Sequence, residues 1–390
     1  MKVLFTGAKV VLPDLVADKV GVLVENGIIA ALDPHPTPKA KELDLKGQLL
    51  LPGAVDLHCD AVEKEIEPRP GARFPLEFAV AQTELRFVAA GITVAFHAIS
   101  FAGAELGLRN PCVAAEVARV LRQRRPLSVI DNRVHARYEL TDEEGLGIIR
   151  RLAQKGWVDM VSLMDHSPGR GQFKTEEAYK RYLIETYHKT ESEVSALLAR
   201  KRQLTRGSEA RAWEIVSIAR EAKIPLASHD VDDVEQVRRL AAMGVRIAEF
   251  PVTIEAAQAA IKAGLVTVFG APNILRGGSH FGSLRALEAV RQGVADCFCS
   301  DYSPASMLPA ALSLPARAGM ALHEAIRLIS ANPARTVGLT DRGEIAVGKR
   351  ADLIAVDRST WPPRVTGVWV EGRLVYSLLG FEPAGGKPEH

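Results

Sequence analysis

Short apolar runs alternate with longer amphipathic segments through the middle of the chain. Each run is rich in β-branched or other apolar residues and has the length of a buried strand, whereas the intervening segments show helical periodicity and often end at glycine. This alternation predicts an α/β fold whose parallel βαβ units close into a (β/α)8 TIM-type barrel, with an open doubly wound sheet as the alternative. The first run lacks a GxGxxG turn, which disfavours a dinucleotide-binding sheet. The eight runs cover residues 54–60, 92–100, 133–140, 158–167, 224–230, 246–252, 265–272 and 295–301.

Both chain ends are richer in short strands and turns than the middle. Asn26-Gly27 and Glu371-Gly372 each separate two apolar runs, which is the pattern of a tight β-hairpin. We therefore predict one small β-sandwich-like domain built from both termini, residues 1–50 and 343–390, with the barrel of residues 51–342 inserted between its halves.

One connection within the predicted barrel is unusually long. Residues 168–222 carry periodic apolar positions and dense alternating charge, which predicts a helical insert. Because the insert follows the fourth strand, it would lie on the face of the barrel where the strands end. We expect it to be either an enlarged helix layer or a lid that contacts the substrate.

Charge and cysteine content narrow the class of protein. The chain has 390 residues and a net charge of +2, so bulk binding to nucleic acid or to a membrane surface is not expected. Its four cysteines form no CxxC motif, the N-terminus lacks an apolar signal core, and no stretch approaches the length of a transmembrane helix. We expect a cytoplasmic protein in which Cys297 and Cys299 fill the barrel interior as small apolar side chains.

Polar side chains gather where the predicted strands end, the region in which barrel enzymes carry their functional groups. His58 and Asp60 are two residues apart, so they should face the same side of the first strand, with Leu57 and Cys59 turned away. Any one such residue is often a satisfied core group, but the whole set resembles a site with nitrogen and oxygen ligands, which suits Zn²⁺, Mn²⁺ or Fe²⁺. The other strand ends carry His97, His135, Arg137, Glu139, Asp165, His166, His229, Asp230, Glu249, Asn273 and Asp301.

A divalent ion at these strand ends would supply a hydroxide nucleophile at neutral pH. A nearby carboxylate could take the proton of the water and pass it to the leaving group. Asp301 fits this catalytic role because it ends the last predicted strand.

Cationic side chains follow the same strand ends. Arginine forks match phosphate oxygens, and the backbone amides of Gly277-Gly278 could cradle an anion. Isolated surface arginines are usually solvated, but clustering at one end of the barrel predicts an anionic substrate. The cluster consists of Lys64, Arg69, Arg73, Arg137, Arg170, Lys174, Arg276 and His280.

Several stretches resemble a known family. The segment HEAIRLISANPARTVGLTDRGEIAVGKRADLIAVD is similar to the return from barrel to β-domain in the amidohydrolase superfamily. The resemblance narrows to the PhnM-like diphosphohydrolases of the carbon–phosphorus lyase pathway and runs from about Leu51 to Asp357. The motifs that carry it are PGAVDLHCDAVEKEIEPRPGARFP, VHARYEL, LMDHSPGRGQF, ASHDVDD, AEFPVT, GAPNILRGGSH and SDYSPASMLPA.

The resemblance implies a metal-dependent hydrolase of phosphonate catabolism. The expected reaction converts α-D-ribose 1-methylphosphonate 5-triphosphate to the 5-phosphate and pyrophosphate. Asp60 stands where many relatives have histidine, and the fourth strand lacks their bridging lysine, so both one and two ions per chain stay open, with zinc favoured over manganese or iron. The implied metal ligands are His58, Asp60, Glu139, His229, Glu249 and Asp301, and the implied substrate-binding residues are Lys64, Arg69, Arg73, Arg137, Asp165, His166, Arg170, Asn273, Arg276 and His280.

Two other functions stay open at this point. One is a different amidohydrolase reaction, deamination or hydrolysis of an amide or cyclic amide, on an anionic small molecule. The other is a non-catalytic scaffold subunit, which would not need a nearly complete set of candidate ligands. The expected partner is a phosphorylated ribosyl small molecule, with no nucleic acid and no membrane, and the resemblance is consistent with a homo-oligomer.

Overall fold

The N-terminal part of the chain folds into short strands. The computed structural model describes residues 2–34, 40–103, 109–165, 175–187, 190–278 and 283–378. Apolar side chains alternate inward along these strands, as in Lys2–Thr6, which fits a sheet with one buried face. The strands are β1 (Lys2–Thr6), β2 (Lys9–Val11), β3 (Val16–Asp18), β4 (Val22–Glu25), β5 (Ile28–Leu32), β6 (Lys41–Asp44) and β7 (Leu49–Pro52).

Eight parallel strands then form the central sheet, each hydrogen-bonded to the next in chain order. Most of their residues are buried, as expected for parallel strands that are covered on both faces. The strands are β8 (Ala54–Cys59), β9 (Ile92–Phe101), β10 (Asp131–Glu139), β11 (Met160–Met164), β12 (Leu226–His229), β13 (Ile247–Glu249), β14 (Val266–Gly270) and β15 (Cys297–Cys299).

Helices connect the strands and cover the outside of the barrel. Several begin at side chains that accept backbone hydrogen bonds, for example Asn110, Thr190 and Asp233. The helices of the first half are α1 (Ala61–Ile66), α2 (Leu76–Ala89), α3 (Pro111–Arg124), α4 (Glu144–Gln154), α5 (Glu176–Tyr187), α6 (Glu191–Leu204) and α7 (Ser208–Ala222). Those of the second half are α8 (Val234–Met243), α9 (Ile254–Lys262), α10 (Ala271–Arg276), α11 (Ala286–Arg291), α12 (Met307–Ala318), α13 (Leu322–Arg327) and α14 (Ala331–Thr336).

The long connection between β11 and β12 contains α5, α6 and α7. A small apolar cluster that includes Tyr179, Leu183 and Leu198 holds α5 and α6 together. Arg211 on α7 donates to the carbonyl of Leu140, 2.7 Å away, and thereby ties the helices to the loop after β10. Among the described helices, none has the length and apolar character needed to cross a bilayer.

The C-terminal strands complete the terminal sheets. They are β16 (Leu353–Asp357), β17 (Arg364–Val370) and β18 (Arg373–Ser377). One sheet has the order β18-β17-β16-β7-β2-β3 and so combines both chain ends, while β5-β4-β1-β6 forms a second sheet. An apolar cluster with side chains from both sheets lies between them, and Phe5 meets Trp369 edge to face at 5.0 Å.

The barrel closes where β8 meets β15. The Asp60 amide donates to the Asp301 carbonyl at 2.8 Å, and the Asp301 amide donates to the His58 carbonyl at 2.9 Å. All eight predicted runs contribute a strand, and these bonds exclude the open sheet. The prediction of an α/β fold with a (β/α)8 barrel and additional sheets from the termini is therefore confirmed.

The barrel interior is filled by apolar side chains from nearly every strand. Cys297 and Cys299 belong to this interior cluster, which confirms their predicted role as small apolar filling. The prediction for Leu57 was wrong, because Leu57 also belongs to the interior cluster. The pairing of β8 with β9 shifts register between Asp56 and Cys59, and such an irregularity breaks the two-residue alternation on which the prediction depended.

Both predicted hairpin turns are present. Asn26 and Gly27 have φ values of 51° and 83°, and Glu371 and Gly372 have values of 50° and 69°, which are the left-handed conformations that a tight two-residue hairpin requires. The two turns touch: a Cβ added to Gly372 would lie 3.5 Å from Cα of Gly27 and only 2.8 Å from Cγ1 of Val24 on the strand before that turn. The contact joins the two terminal sheets.

Replacing Gly372 with alanine should therefore destabilise the protein more than the same change at a free turn. Gly47 is the matched control, since it has a φ of 81° and an added Cβ would meet nothing within 4 Å. We expect Gly47→Ala to cost about 1 kcal/mol from backbone strain and Gly372→Ala to cost about 2–3 kcal/mol, because strain and overlap add. Urea denaturation measures both, and equal losses would contradict the proposed contact.

Candidate active site

Three buried side chains converge at the ends of β8, β10 and β13. Nδ1 of His58 lies 3.0 Å from Oε1 of Glu249, and Nε2 of His135 lies 3.6 Å from Oε2 of Glu249. One ligand atom from each residue can be chosen so that all lie within 4.8 Å of one another. We call these residues, His58, His135 and Glu249, the inner cluster.

The hydrogen bonds of His135 define its tautomer. Nδ1 lies 3.1 Å from the Leu57 carbonyl, which can only accept, so Nδ1 carries the proton. Nε2 therefore carries the lone pair and accepts from the Ser162 hydroxyl at 2.9 Å, while Oε2 of Glu249 lies 3.6 Å away. A backbone carbonyl that holds the far nitrogen in this way is typical of metal-ligating histidines.

Burial keeps the histidines of the inner cluster neutral. It lowers the pKa of His58 well below its usual value, with Arg137 as the next cause, and it lowers the pKa of His135 to about 3. Neutral imidazole is the form that binds metal. Oε2 of Glu249 is fully buried and has no hydrogen-bond partner among the described residues. A buried carboxylate oxygen facing imidazole nitrogens fits a divalent cation.

Aromatic and acidic side chains lie around the inner cluster. The His229 ring lies 5.4 Å from that of His58, and Phe250 packs against both rings. Nδ1 of His229 lies 3.1 Å from Oδ2 of Asp230. Asp230, Phe250 and Asp301 have φ values of 54°, 52° and 59°, an unfavourable conformation for residues with side chains. Such strain at three strand ends is common in functional sites, where the surrounding structure enforces it.

Asp301 lies beside these surrounding side chains and titrates near neutrality. Its pKa is raised to about 7, chiefly by burial and next by the charge of Asp60, while Arg137 opposes the shift. The side chain rests over Gly270, where an added Cβ would lie 3.3 Å from Oδ2 of Asp301. A carboxyl group with this pKa can accept and return a proton at physiological pH.

Two arginines face the acidic groups at the barrel mouth. Nη1 of Arg137 lies 3.8 Å from Oδ2 of Asp60, and Nη2 of Arg109 lies 3.6 Å from the same oxygen. Burial raises the pKa of Asp60, as does Glu63, whereas the arginines lower it. The site therefore combines cationic and anionic groups at close range.

Asp56 fixes the strand ends beneath the site. Its Oδ1 accepts from the amides of Ser300 at 2.9 Å and His58 at 3.3 Å, and its Oδ2 accepts from the Ser300 hydroxyl at 2.5 Å. The carboxylate thus spans the junction of β8 and β15. It positions His58 on one strand and, through Ser300, Asp301 on the other.

The predicted metal ligands largely come together. His58, Glu249, His229, Asp60 and Asp301 all lie within the inner cluster or its surroundings. Glu139 is buried at the end of β10, where its Oε1 accepts from the Thr141 hydroxyl at 3.1 Å. The predicted set omitted His135, although its two-residue spacing from Arg137 and Glu139 indicated a shared face.

The predicted substrate-binding residues occupy different depths. Arg137 is buried at the mouth, and Asp165 lines a pocket of about 200 Å³ that reaches His229. Both amide atoms of Asn273 are bonded to backbone, to the Leu284 carbonyl and the Ala286 amide. The exposed cations are Lys64 on α1, Arg69 and Arg73 in the loop after it, and Arg276 at the end of α10. His166, Arg170 and His280 lie outside the described residues.

Some exposed cations have partners of their own. Nε of Arg73 lies 3.5 Å from Oε2 of Glu67, and Nη1 of Arg276 donates to the Tyr302 hydroxyl at 3.3 Å. Among the cations of this set that the structure describes, Arg137 is the buried one, so water screens its charge less.

Comparison with known proteins identifies similar sequences. A family model described as "Amidohydrolase family" matches residues 79–376. The chain is 36% identical over 362 residues to the alpha-D-ribose 1-methylphosphonate 5-triphosphate diphosphatase of Escherichia coli, covering 90% of this chain and 95% of that protein. A shorter match, 38% identical over 99 residues, is to the dihydroorotase of Methanopyrus kandleri and covers 21% of this chain and 23% of that protein.

Solved structures with the same fold are more distant in sequence. The N-acetyl-D-glucosamine-6-phosphate deacetylase of Mycobacterium smegmatis has a TM-score of 0.66 at 16% identity and covers 96% of this chain and 100% of its own. The dihydropyrimidinase of Brevibacillus agri has a TM-score of 0.65 at 13% identity and covers 98% and 96%. At such identities the likeness concerns the fold alone.

Replacing His135 with alanine should weaken metal binding at least about tenfold, because a neutral ligand nitrogen is lost from the inner cluster. His97 provides the matched control. It is equally buried on the neighbouring strand, but its ring packs against Phe87 and its Nε2 bonds to Asn132. His97→Ala should lose stability yet retain metal. Zinc content after dialysis against a weak chelator measures the difference, and equal retention by both variants would contradict the assignment of His135.

Asp56 should make native stability fall as pH rises. Burial raises its pKa from 3.8 to about 7, so the native state keeps a proton that the unfolded chain releases in this window. Asp56→Asn removes that titration. The stability of the unsubstituted protein minus that of the variant should therefore fall by about 2–4 kcal/mol between pH 4 and pH 8. Urea denaturation of both metal-free proteins tests this, and a difference that stays constant or rises with pH would disprove it.

Proposed function

The chain belongs to the amidohydrolase family, and we propose that it is a metal-dependent hydrolase that cleaves α-D-ribose 1-methylphosphonate 5-triphosphate to the 5-phosphate and pyrophosphate. The similarity to the Escherichia coli diphosphatase supports this reaction because it extends over 90% of the chain. The structural observation that carries the proposal is the buried guanidinium of Arg137 beside the inner cluster. Residues that can bind a metal ion, next to a buried arginine, suit the hydrolysis of a phosphorylated substrate.

Arg137 is only 5% exposed, and its Nε and Nη1 lack hydrogen-bond partners within the described part of the chain. Buried charged donors are costly unless an acceptor pairs with them. A phosphate oxygen has the charge and the acceptor geometry that a guanidinium requires. The substrate of this site is therefore an anion that reaches the buried guanidinium of Arg137.

The inner cluster would hold one divalent ion through His58, His135 and Glu249. Zinc is the proposed ion, and manganese and iron suit the same donors. When bound, such an ion makes water acidic enough to act as a nucleophile at neutral pH. Further ligands, including those of a second ion, are proposed to be Asp60, Glu139, His229 and Asp301.

Asp301 is the proposed proton carrier. It would take a proton from the attacking water and return it to the pyrophosphate oxygen that leaves. Its raised pKa matches both halves of this exchange. Arg137 would neutralise charge on the phosphoryl group during the transfer, while Lys64, Arg69, Arg73 and Arg276 contact the outer phosphates.

Hydrolysis of a cyclic amide is the second candidate. The match to a dihydroorotase supports it, but that match covers 21% of this chain, compared with 90% for the diphosphatase. Ammonia or ring-opened product from a panel of amides, without pyrophosphate from the triphosphate, would favour this candidate.

We also propose that the enzyme works in the cytoplasm. Cys59, Cys112, Cys297 and Cys299 are all free thiols, which supports a reducing compartment.

Replacing Asp301 with asparagine should lower kcat for pyrophosphate release by at least about a thousandfold, because the amide cannot accept the proton. Asp18 is a suitable control, since it is exposed on β3 and far along the chain from the site. Asp18→Asn should keep full activity. Circular dichroism and metal content establish that the Asp301 variant is folded and loaded, and near-normal pyrophosphate release by that variant would refute the assigned role.

A further inference from the structure

Two neighbouring strands of the barrel carry adjacent buried donors. Ser100 on β9 and Arg137 on β10 are direct partners in the parallel register of these strands. Ser100 is 1% exposed and Arg137 is 5% exposed. Directly paired residues of parallel strands point to the same side of the sheet, so the two side chains are neighbours.

Both side chains face the inside of the barrel. On β9, Val94 and Phe96 belong to the interior cluster, and the two-residue alternation gives Ser100 the same orientation. On β10, the His135 ring meets the His58 ring at 5.1 Å, and Arg137 is two residues further along the strand. The pair therefore lies at the mouth, about 6–7 Å along the strands beyond the inner cluster.

The hydroxyl of Ser100 and the Nε and Nη1 atoms of Arg137 have no hydrogen-bond partner in the described ranges. Within the described part of the chain, the carboxylate paired with Arg137 is that of Asp60, whose Oδ2 lies 3.8 Å from Nη1, too long for a hydrogen bond. Three buried donors on adjacent strands that find no acceptor among the described residues are rare in a native fold. An anionic ligand at the mouth would supply such an acceptor.

The strand end that carries Ser100 is fixed independently of its hydroxyl. The Ser100 amide donates to Oε1 of Glu63 at 3.3 Å, and Oε2 of Glu63 accepts from Nε of Arg109 at 3.1 Å. Both oxygens of this nearby carboxylate are therefore engaged. The hydroxyl stays oriented by its backbone and available to a ligand.

We propose that Ser100 and Arg137 form a subsite for one oxygen of the phosphoryl group that is hydrolysed. The identity of that group rests on the proposed diphosphatase function, whereas the donors by themselves, a guanidinium and a hydroxyl, fit the oxygen atoms of an anion. This inner subsite differs from the exposed cations Lys64, Arg69 and Arg73, which water screens. Donors fixed in a water-poor mouth stabilise charge that develops in the transition state, so their loss should act on kcat more than on KM.

Ser100→Ala and Arg137→Gln test the subsite in the full-length, zinc-loaded protein. Ser330→Ala is the matched control, because Ser330 is also 1% exposed but its hydroxyl bonds to the Ile326 carbonyl away from the mouth. We expect Ser100→Ala to lower kcat about tenfold with KM within about threefold, and Arg137→Gln to lower kcat by about a hundredfold or more. Ser330→Ala should leave both constants unchanged.

Calorimetric binding of inorganic phosphate to the same proteins separates this inference from the proposed function. Ser100→Ala should weaken phosphate binding about tenfold. Suppose that neither the unsubstituted protein nor any variant releases pyrophosphate, but Ser100→Ala still weakens phosphate binding. The subsite is then supported and the diphosphatase proposal is refuted. If Ser100→Ala leaves kcat unchanged while the unsubstituted protein is active, the subsite for the hydrolysed group is refuted, whether or not free phosphate binding changes.

Discussion

The site depends on the junction at which the last strand of the barrel meets the first. The strands β8 and β15 exchange two backbone hydrogen bonds there, and the Asp56 carboxylate adds three more by binding Ser300 and the His58 amide. Because β8 carries His58 and β15 leads into Asp301, the same contacts close the barrel and set the spacing between a ligand and a proton acceptor. The contacts that close the barrel therefore also fix the geometry of the active site.

The mouth of the barrel satisfies two opposite electrostatic demands. Carboxylates such as Glu249 and Asp301 provide negative charge for a cation, while Arg137 provides buried donors for an anion. Burial would make each group costly alone, and their proximity offsets part of that cost. The arrangement suits an enzyme that must hold a metal ion and a phosphorylated substrate side by side.

The fold was largely predictable, because it depends on patterns that are local in the sequence. Apolar runs marked every barrel strand, and Asn26-Gly27 marked a hairpin because few residue pairs adopt its left-handed turn. The site was only partly predictable. His58, Asp60 and Asp301 lay at visible strand ends, but nothing local signalled the register shift that turns Leu57 inward. Positive φ values at Asp230 and Phe250, and the convergence of His135 on Glu249, arise from tertiary packing and cannot be read from spacing.

This barrel joins a cluster of metal-ligand residues to a buried phosphate-binding arginine, and together they serve to break a phosphoanhydride bond. Phosphorus NMR of the zinc-loaded protein with α-D-ribose 1-methylphosphonate 5-triphosphate tests it most directly, with ATP as the comparison triphosphate. We expect one pyrophosphate for each 5-phosphate formed, and we expect this activity to disappear on chelation and to return when metal is added back. Orthophosphate as the only product, or an unchanged spectrum with metal bound, would contradict it.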